Sequence, residues 1–144
     1  MAITSEICNS FKQEILEAEH NFTASTGNTF NLALYDSDAD LSKTTTAYTT
    51  SEELATTGGY TAKGNALTSV TPVLDSDTAV CDFSNTSWTS ASFTARGCLI
   101  FNDSHASDAS VCAIDFGGNK TVTSGTFTVE FPAAAASTAI IQIA

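Results

Sequence analysis

From residue 28 onward, apolar and polar residues alternate in short runs separated by turn-forming residues. Alternate side chains of an extended chain lie on the same face, so each run predicts a half-buried strand. The sequence Gly117-Gly118-Asn119-Lys120 predicts a turn, and Pro72 predicts a sheet edge or a bulge. The candidate strands lie at 30–35, 43–49, 66–74, 78–83, 98–102, 110–116, 126–131 and 139–143, with a strand or a structured loop at 88–95.

Short strands at this spacing predict a mainly β fold, an antiparallel β-sandwich of about eight strands. The chain has 144 residues, a length that fits one domain with its own core. We therefore predict a single domain over 1–144, with an N-terminal amphipathic α-helix at 1–22 and the sandwich at 28–144.

The helix prediction depends on apolar residues that recur at intervals of three and four. Thr4 or Ser5 is expected to cap its start, and His20 and Asn21 are expected at its end. An amphipathic helix needs apolar cover, which its own sheet or a neighbouring subunit can supply. Both possibilities remain open from the sequence. The apolar stripe consists of Ile3, Ile7, Phe11, Ile15, Ala18 and Phe22.

The chain is strongly acidic, with 16 acidic and 5 basic residues and a net charge of −11. Nucleic-acid binding needs cations placed against phosphates, and the scattered cations form no basic stripe, so we predict no nucleic-acid partner. No apolar stretch approaches the ~20 residues that a membrane helix requires, so we predict no membrane insertion. The N-terminal residues lack the pattern of a signal peptide, and we expect folding in a cytoplasm with reduced cysteines. The cations are Lys12, Lys43, Lys63, Arg96 and Lys120.

Known catalytic and cofactor motifs are missing from the sequence. It has neither a nucleophile elbow nor a Gly-rich phosphate loop, and its four cysteines form no CxxC pair. We predict that the cysteines are small core residues and that His20 and His105 have structural roles. The expected protein is not an enzyme and has no cofactor and no metal site.

The acidic run at 36–40 resembles the start of a calcium-binding loop, with Asp at alternate positions. The later positions of the pattern differ, because Leu41 replaces the glycine of the sharp turn and Ala47 replaces the bidentate glutamate. We predict a turn with solvated carboxylates here.

Trp88, with Phe93 and Tyr60, has two interpretations. The three aromatic side chains can form a platform for a ligand such as a carbohydrate. Aromatic residues in a small sandwich more often belong to the core or to a subunit contact. We therefore count Trp88 among the candidate protein-interface residues.

Four stretches together resemble small virion structural proteins of tailed bacteriophages. The likeness extends over nearly the whole chain and includes no catalytic signature. The stretches are Ser10-Phe-Lys-Gln-Glu-Ile-Leu16, Phe30-Asn-Leu-Ala-Leu-Tyr35 with Thr46-Ala-Tyr-Thr-Thr50, Trp88-Thr-Ser-Ala-Ser-Phe-Thr-Ala-Arg-Gly97, and Ala113-Ile-Asp-Phe-Gly117 with Ser124-Gly-Thr-Phe-Thr-Val-Glu-Phe-Pro132.

The resemblance implies a capsid decoration or cement protein on the outer surface of the shell, made in the host cytoplasm, which binds the major capsid protein. A tail or neck component and a carbohydrate- or receptor-binding module of the virion are the alternatives. Self-association is expected to be symmetric, as dimers or trimers at local symmetry axes. With Trp88, the helix residues Ile7, Phe11 and Ile15 are the candidate contacts to the shell or between subunits.

Overall fold

The computed structural model describes residues 2–144. Strands account for 48% of the chain and helix for 6%, so the predicted mainly β class is confirmed. The strands form two antiparallel sheets, and one short helix lies near the N-terminus. The elements are β1 (Glu6–Ile7), α1 (Asn9–Leu16), β2 (Phe30–Tyr35), β3 (Asn65–Ala66), β4 (Ser69–Asp75), β5 (Thr78–Phe83), β6 (Thr86–Asn102), β7 (Ser110–Val129) and β8 (Ile141–Ile143).

The larger sheet has five strands in the order β1-β7-β6-β2-β3, and the smaller sheet has three in the order β4-β5-β8. The longest pairing is the β6–β7 hairpin, with strands of 17 and 20 residues joined by residues 103–109. Each of these two strands replaces two of the shorter strands predicted from the sequence. β1 and β8 are edge strands of their sheets, and α1 follows β1 directly.

The predicted turn at 117–120 is wrong, because these residues form a bulge inside β7. The pairs Ala95↔Lys120 and Gly97↔Asp115 are two residues apart along β6 but five residues apart along β7, so β7 contains the extra residues. Gly117 has a φ of 79° there. Turns and bulges both need a left-handed backbone position that glycine adopts without strain, so the local sequence is the same for both.

The predicted helix over 1–22 is also wrong in its extent, since α1 has eight residues. The chain before it is extended, and Cys8 rather than Thr4 or Ser5 is the cap residue. At the other end Ala18 has a φ of 62°, and the Glu19 N–H donates to the Glu14 carbonyl at 3.0 Å. This pattern is a Schellman motif, which ends the helix before His20 and Asn21.

β2 is buried on both of its faces. Phe30, Leu32 and Leu34 belong to the main core cluster, which also contains residues of α1 and the smaller sheet. Ala33 and Tyr35 point to the opposite face and belong to a second cluster. Leu41 and Tyr48 from the following segment cover that second cluster, so a loop layer lies over the larger sheet.

The strand predicted at 43–49 does not form. Ala47 makes only an isolated bridge with Ala109. The hydroxyl of Thr45 instead accepts a hydrogen bond from the Ser42 N–H at 3.1 Å. Threonine and serine side chains compete in this way with strand pairing, which explains why a Thr-rich run remains a loop.

Candidate functional site

An apolar groove lies between α1 and β8, near the edges of both sheets. It consists of two depressions of about 350 and 130 Å³ that share Phe11, Ile15, Ile141 and Ile143. We call it the α1–β8 groove. Its walls consist of Ile7, Phe11, Lys12, Ile15, Leu16, Phe22, Pro72, Ala79, Val80, Cys81, Ile141, Gln142 and Ile143.

The inner face of the smaller sheet continues beside this groove without cover. Leu74, Ala79 and Ile143 are neighbours in one row across the three strands, so their side chains lie on one face. Cys81, two positions along β5, is on the same face and belongs to the main core. Leu74 is 75% exposed, Ile143 57% and Leu16, in the groove wall, 88%. Large apolar side chains exposed together at the end of a core are typical of an interaction surface.

The charge of the groove differs from that of the whole chain. Lys12 is the single charged residue in its walls, and its Nζ donates to Asn9 Oδ1 at 3.1 Å. Among residues 2–144, Lys12 and Lys120 are the two basic side chains that form no ion pair with a carboxylate. The ion pairs of the other cations are Lys43–Glu6, Lys63–Asp103, Lys63–Asp108 and Arg96–Asp115.

Three of the four predicted interface residues, Ile7, Phe11 and Ile15, meet in this groove. Phe11 is buried and packs edge-on against Phe22, with ring centroids 5.9 Å apart. The helix therefore covers the domain's own core with its inner side. Ile7 and Ile15 are partly buried at the margin of that core.

Trp88 lies elsewhere and is 4% exposed. Its ring is 6.2 Å from Tyr60 and 6.4 Å from Phe93, so the three residues considered as a ligand platform pack against one another. Tyr60 is buried as well, and its hydroxyl accepts the Leu34 N–H at 3.0 Å. This aromatic group is part of the core in the isolated chain.

Sequence reasoning missed Leu16, Leu74 and Ile143 as surface residues. The sequence did indicate that Leu16 is exposed, because it is an apolar residue that lies outside the apolar stripe of α1. Leu74 and Ile143 carried no such signal, since each lies in a predicted strand and only the packing reveals that its face is uncovered.

Cys81 lies in the wall of the groove, but its thiol is a poor nucleophile. Burial raises the pKa of Cys81 to about 12, and burial likewise raises the pKa of Cys8, Cys98 and Cys112. All four cysteines are free and buried, and nucleophilic attack requires the thiolate. The groove therefore provides apolar contact and one cation, and its thiol stays protonated near pH 7.

His20 forms a buried polar link between the end of α1 and the β6–β7 connection. Its Nε2 lies 2.7 Å from Glu14 Oε2, and its Nδ1 lies 3.1 Å from Asn102 Nδ2. Asn102 Oδ1 accepts the Ser104 N–H, so the amide nitrogen faces His20 and Nδ1 is the acceptor. The proton of a neutral His20 then lies on Nε2 and is donated to Glu14.

Glu53 is the centre of a second polar cluster, within the loop layer. Its carboxylate accepts the hydroxyls of Tyr48 at 2.6 Å and Tyr60 at 2.7 Å, and the Lys63 N–H at 2.7 Å. Burial, together with this carboxylate, raises the pKa of Tyr48 to about 12 and raises that of Tyr60 as well. These bonds hold the loop layer in place, and the three donors leave the carboxylate little capacity for a substrate.

Three acids could together contact a cation. One carboxylate oxygen from each of Asp36, Asp38 and Glu52 lies within 4.8 Å of the others. Oxygen ligands of this kind suit Ca²⁺ or Mg²⁺. Asp36 Oδ1 also accepts the Asp38 N–H, the geometry of a simple turn, and Asp40 does not belong to the group.

No protein-family model matches this chain, and no curated protein or solved structure matches it significantly. The part of the chain that the structure describes contains no helix long and apolar enough to cross a membrane.

Proposed function

We propose that this chain is a non-enzymatic structural protein of a tailed-bacteriophage virion, a decoration protein that binds the outer shell and bridges major capsid subunits. The observation that carries the proposal is the uncovered apolar surface formed by Leu16, Leu74 and Ile143 beside the α1–β8 groove. The resemblance of four sequence stretches to small virion proteins supplies the class of partner.

Docking through this surface is favourable because three large side chains leave water. Full burial of a leucine or isoleucine contributes roughly 1.5–3 kcal/mol. A decoration protein is present in many copies, and a symmetric dimer or trimer that engages several shell subunits raises the effective affinity further. Modest contacts per copy are therefore sufficient for stable attachment.

The groove also restricts the chemistry of the partner segment. Its walls are apolar except for Lys12 and Gln142, so the complementary segment is apolar with one carboxylate placed against the Lys12 ammonium. β8 is an edge strand, with one side of its backbone free to pair with an extended segment. The acidic remainder of the chain disfavours contact with packaged DNA.

Cryo-electron microscopy of particles from cells that produce this chain tests the proposal directly. We expect regular copies over the outside of the shell, with α1 and β8 facing the capsid subunits. A ring of density at the neck or the tail would replace the decoration role with the tail or neck alternative. Particles that contain no copy of the chain would contradict a virion role altogether.

Substitutions in α1 and on the two faces of β4 test the docking surface. Leu16→Glu and Leu74→Glu place a charge on the proposed contact, and we expect each to reduce shell binding at least about tenfold. Val73→Glu is the matched control, because Val73 is 52% exposed and points to the opposite face of the same strand. Co-sedimentation with shells measures binding, and circular dichroism verifies folding. Equal binding by all three variants would contradict this surface.

A further inference from the structure

A second cleft, of about 500 Å³, lies beside the β7 bulge, and none of its wall residues belongs to the α1–β8 groove. A volume of this size is within the range of small-molecule sites, which are also mostly apolar with a few polar groups. Its apolar walls consist of Ile114, Phe116, Phe127, Val129, Phe131, Pro132 and Ile140.

The cleft exists because β7 curls back on itself. The rings of Phe116 and Phe127 are 6.2 Å apart, although a straight strand would separate residues eleven positions apart by about 36 Å. The bulge at Gly117 and a second irregularity, where Ser90 and Ser124 have positive φ, produce the bend. Half-buried side chains from both parts of the strand therefore face a common concavity.

The polar Thr128 and two charged residues, Lys120 and Glu130, complete the wall. Lys120 forms no ion pair with any acid among residues 2–144, whereas Lys43, Lys63 and Arg96 each do. In a chain with a net charge of −11, a cation without a carboxylate partner beside an apolar cleft provides one local point of attraction for an anionic group.

We infer that this cleft binds an apolar monocarboxylate, with its hydrocarbon body against Phe116, Phe127 and Phe131 and its carboxylate against the Lys120 ammonium. Glu130 in the same wall repels a second negative charge, which disfavours dicarboxylates and phosphate esters. The site lies outside the proposed docking surface and does not depend on the virion role.

Titration with decanoate, monitored through the amide chemical shifts in NMR spectra, tests this inference. We expect saturable shifts at residues 114–120 and 127–132, with a dissociation constant of about 0.1–1 mM for a ligand of this size. Sebacate has a similar chain with a carboxylate at each end, and we expect it to bind more weakly.

Three charge variants separate the monocarboxylate from other ligands. Lys120→Gln should weaken decanoate binding by about three- to fivefold, the effect of one exposed ion pair. Glu130→Gln should strengthen it, because a repulsive charge is removed. Lys12→Gln is the matched control, a second lysine without an ion pair beside an apolar depression, and should change nothing.

Several results would overturn the inference. They are shifts centred on the α1–β8 groove, the absence of saturation, unchanged affinity in Lys120→Gln, and weaker binding in Glu130→Gln, which would mean that Glu130 supports decanoate binding instead of opposing it. Each variant is accepted only if its amide spectrum outside the cleft matches that of the unchanged protein.

Discussion

Replacing Gly64 with alanine is expected to lower the free energy of unfolding by about 4 kcal/mol or more, or to prevent folding. Gly64 has a φ of +65°, and a Cβ atom there would lie 1.8 Å from the Leu32 carbonyl oxygen and 2.7 Å from its carbonyl carbon. These are backbone atoms of β2, a strand buried on both faces, so the neighbour cannot move aside. Backbone strain and steric overlap therefore act together.

Urea denaturation followed by circular dichroism measures this effect. Gly118→Ala is the matched control, because no atom lies within 4 Å of the added Cβ and the change should stay within about 0.5 kcal/mol. Equal stability of the two variants would mean that the segment around Gly64 does not lie against β2.

The mainly β class could be predicted because the apolar runs bounded by turn-forming residues do form strands, although β2 is buried on both faces and not half-buried as its alternation predicts. Phe30–Tyr35 and Thr78–Phe83 have the same bounds in the sequence prediction and in the structure. The errors occurred where one sequence pattern fits two backbones. Glycine suits the bulge in β7 as well as it suits a turn, and the hydroxyl of Thr45 can bond locally instead of facing a sheet.

The error at the N-terminus has a similar cause. Ile3 and Ile7 continue the helical spacing of Phe11 and Ile15, yet Ile3 bridges Leu41 and Ile7 pairs with β7. Periodicity identifies which side chains face a core but not the conformation that brings them there. It also does not show what covers a face, so the uncovered row of Leu74, Ala79 and Ile143 could be found only from the packing.

Phe11→Ala is expected to lower the free energy of unfolding by about 3–5 kcal/mol, whereas Leu16→Ala should change it by less than about 0.5 kcal/mol. Phe11 is buried and contacts the rings of Phe22 and His20, with centroids 5.9 and 5.0 Å away, so its removal leaves a cavity. Leu16 is almost fully exposed and loses no packing.

Chemical denaturation of the two variants measures the difference in their free energies of unfolding. Co-sedimentation of the folded Leu16→Ala protein with shells then measures whether Leu16 contributes to binding. A helix that only covers its own sheet predicts a stable Leu16→Ala variant with unchanged binding. A helix that serves both the fold and the partner predicts full stability with weakened binding, because the inner side of α1 holds the core while its outer side meets the shell. A large loss of stability in Leu16→Ala would contradict both, since it would require that residue to be buried within the domain.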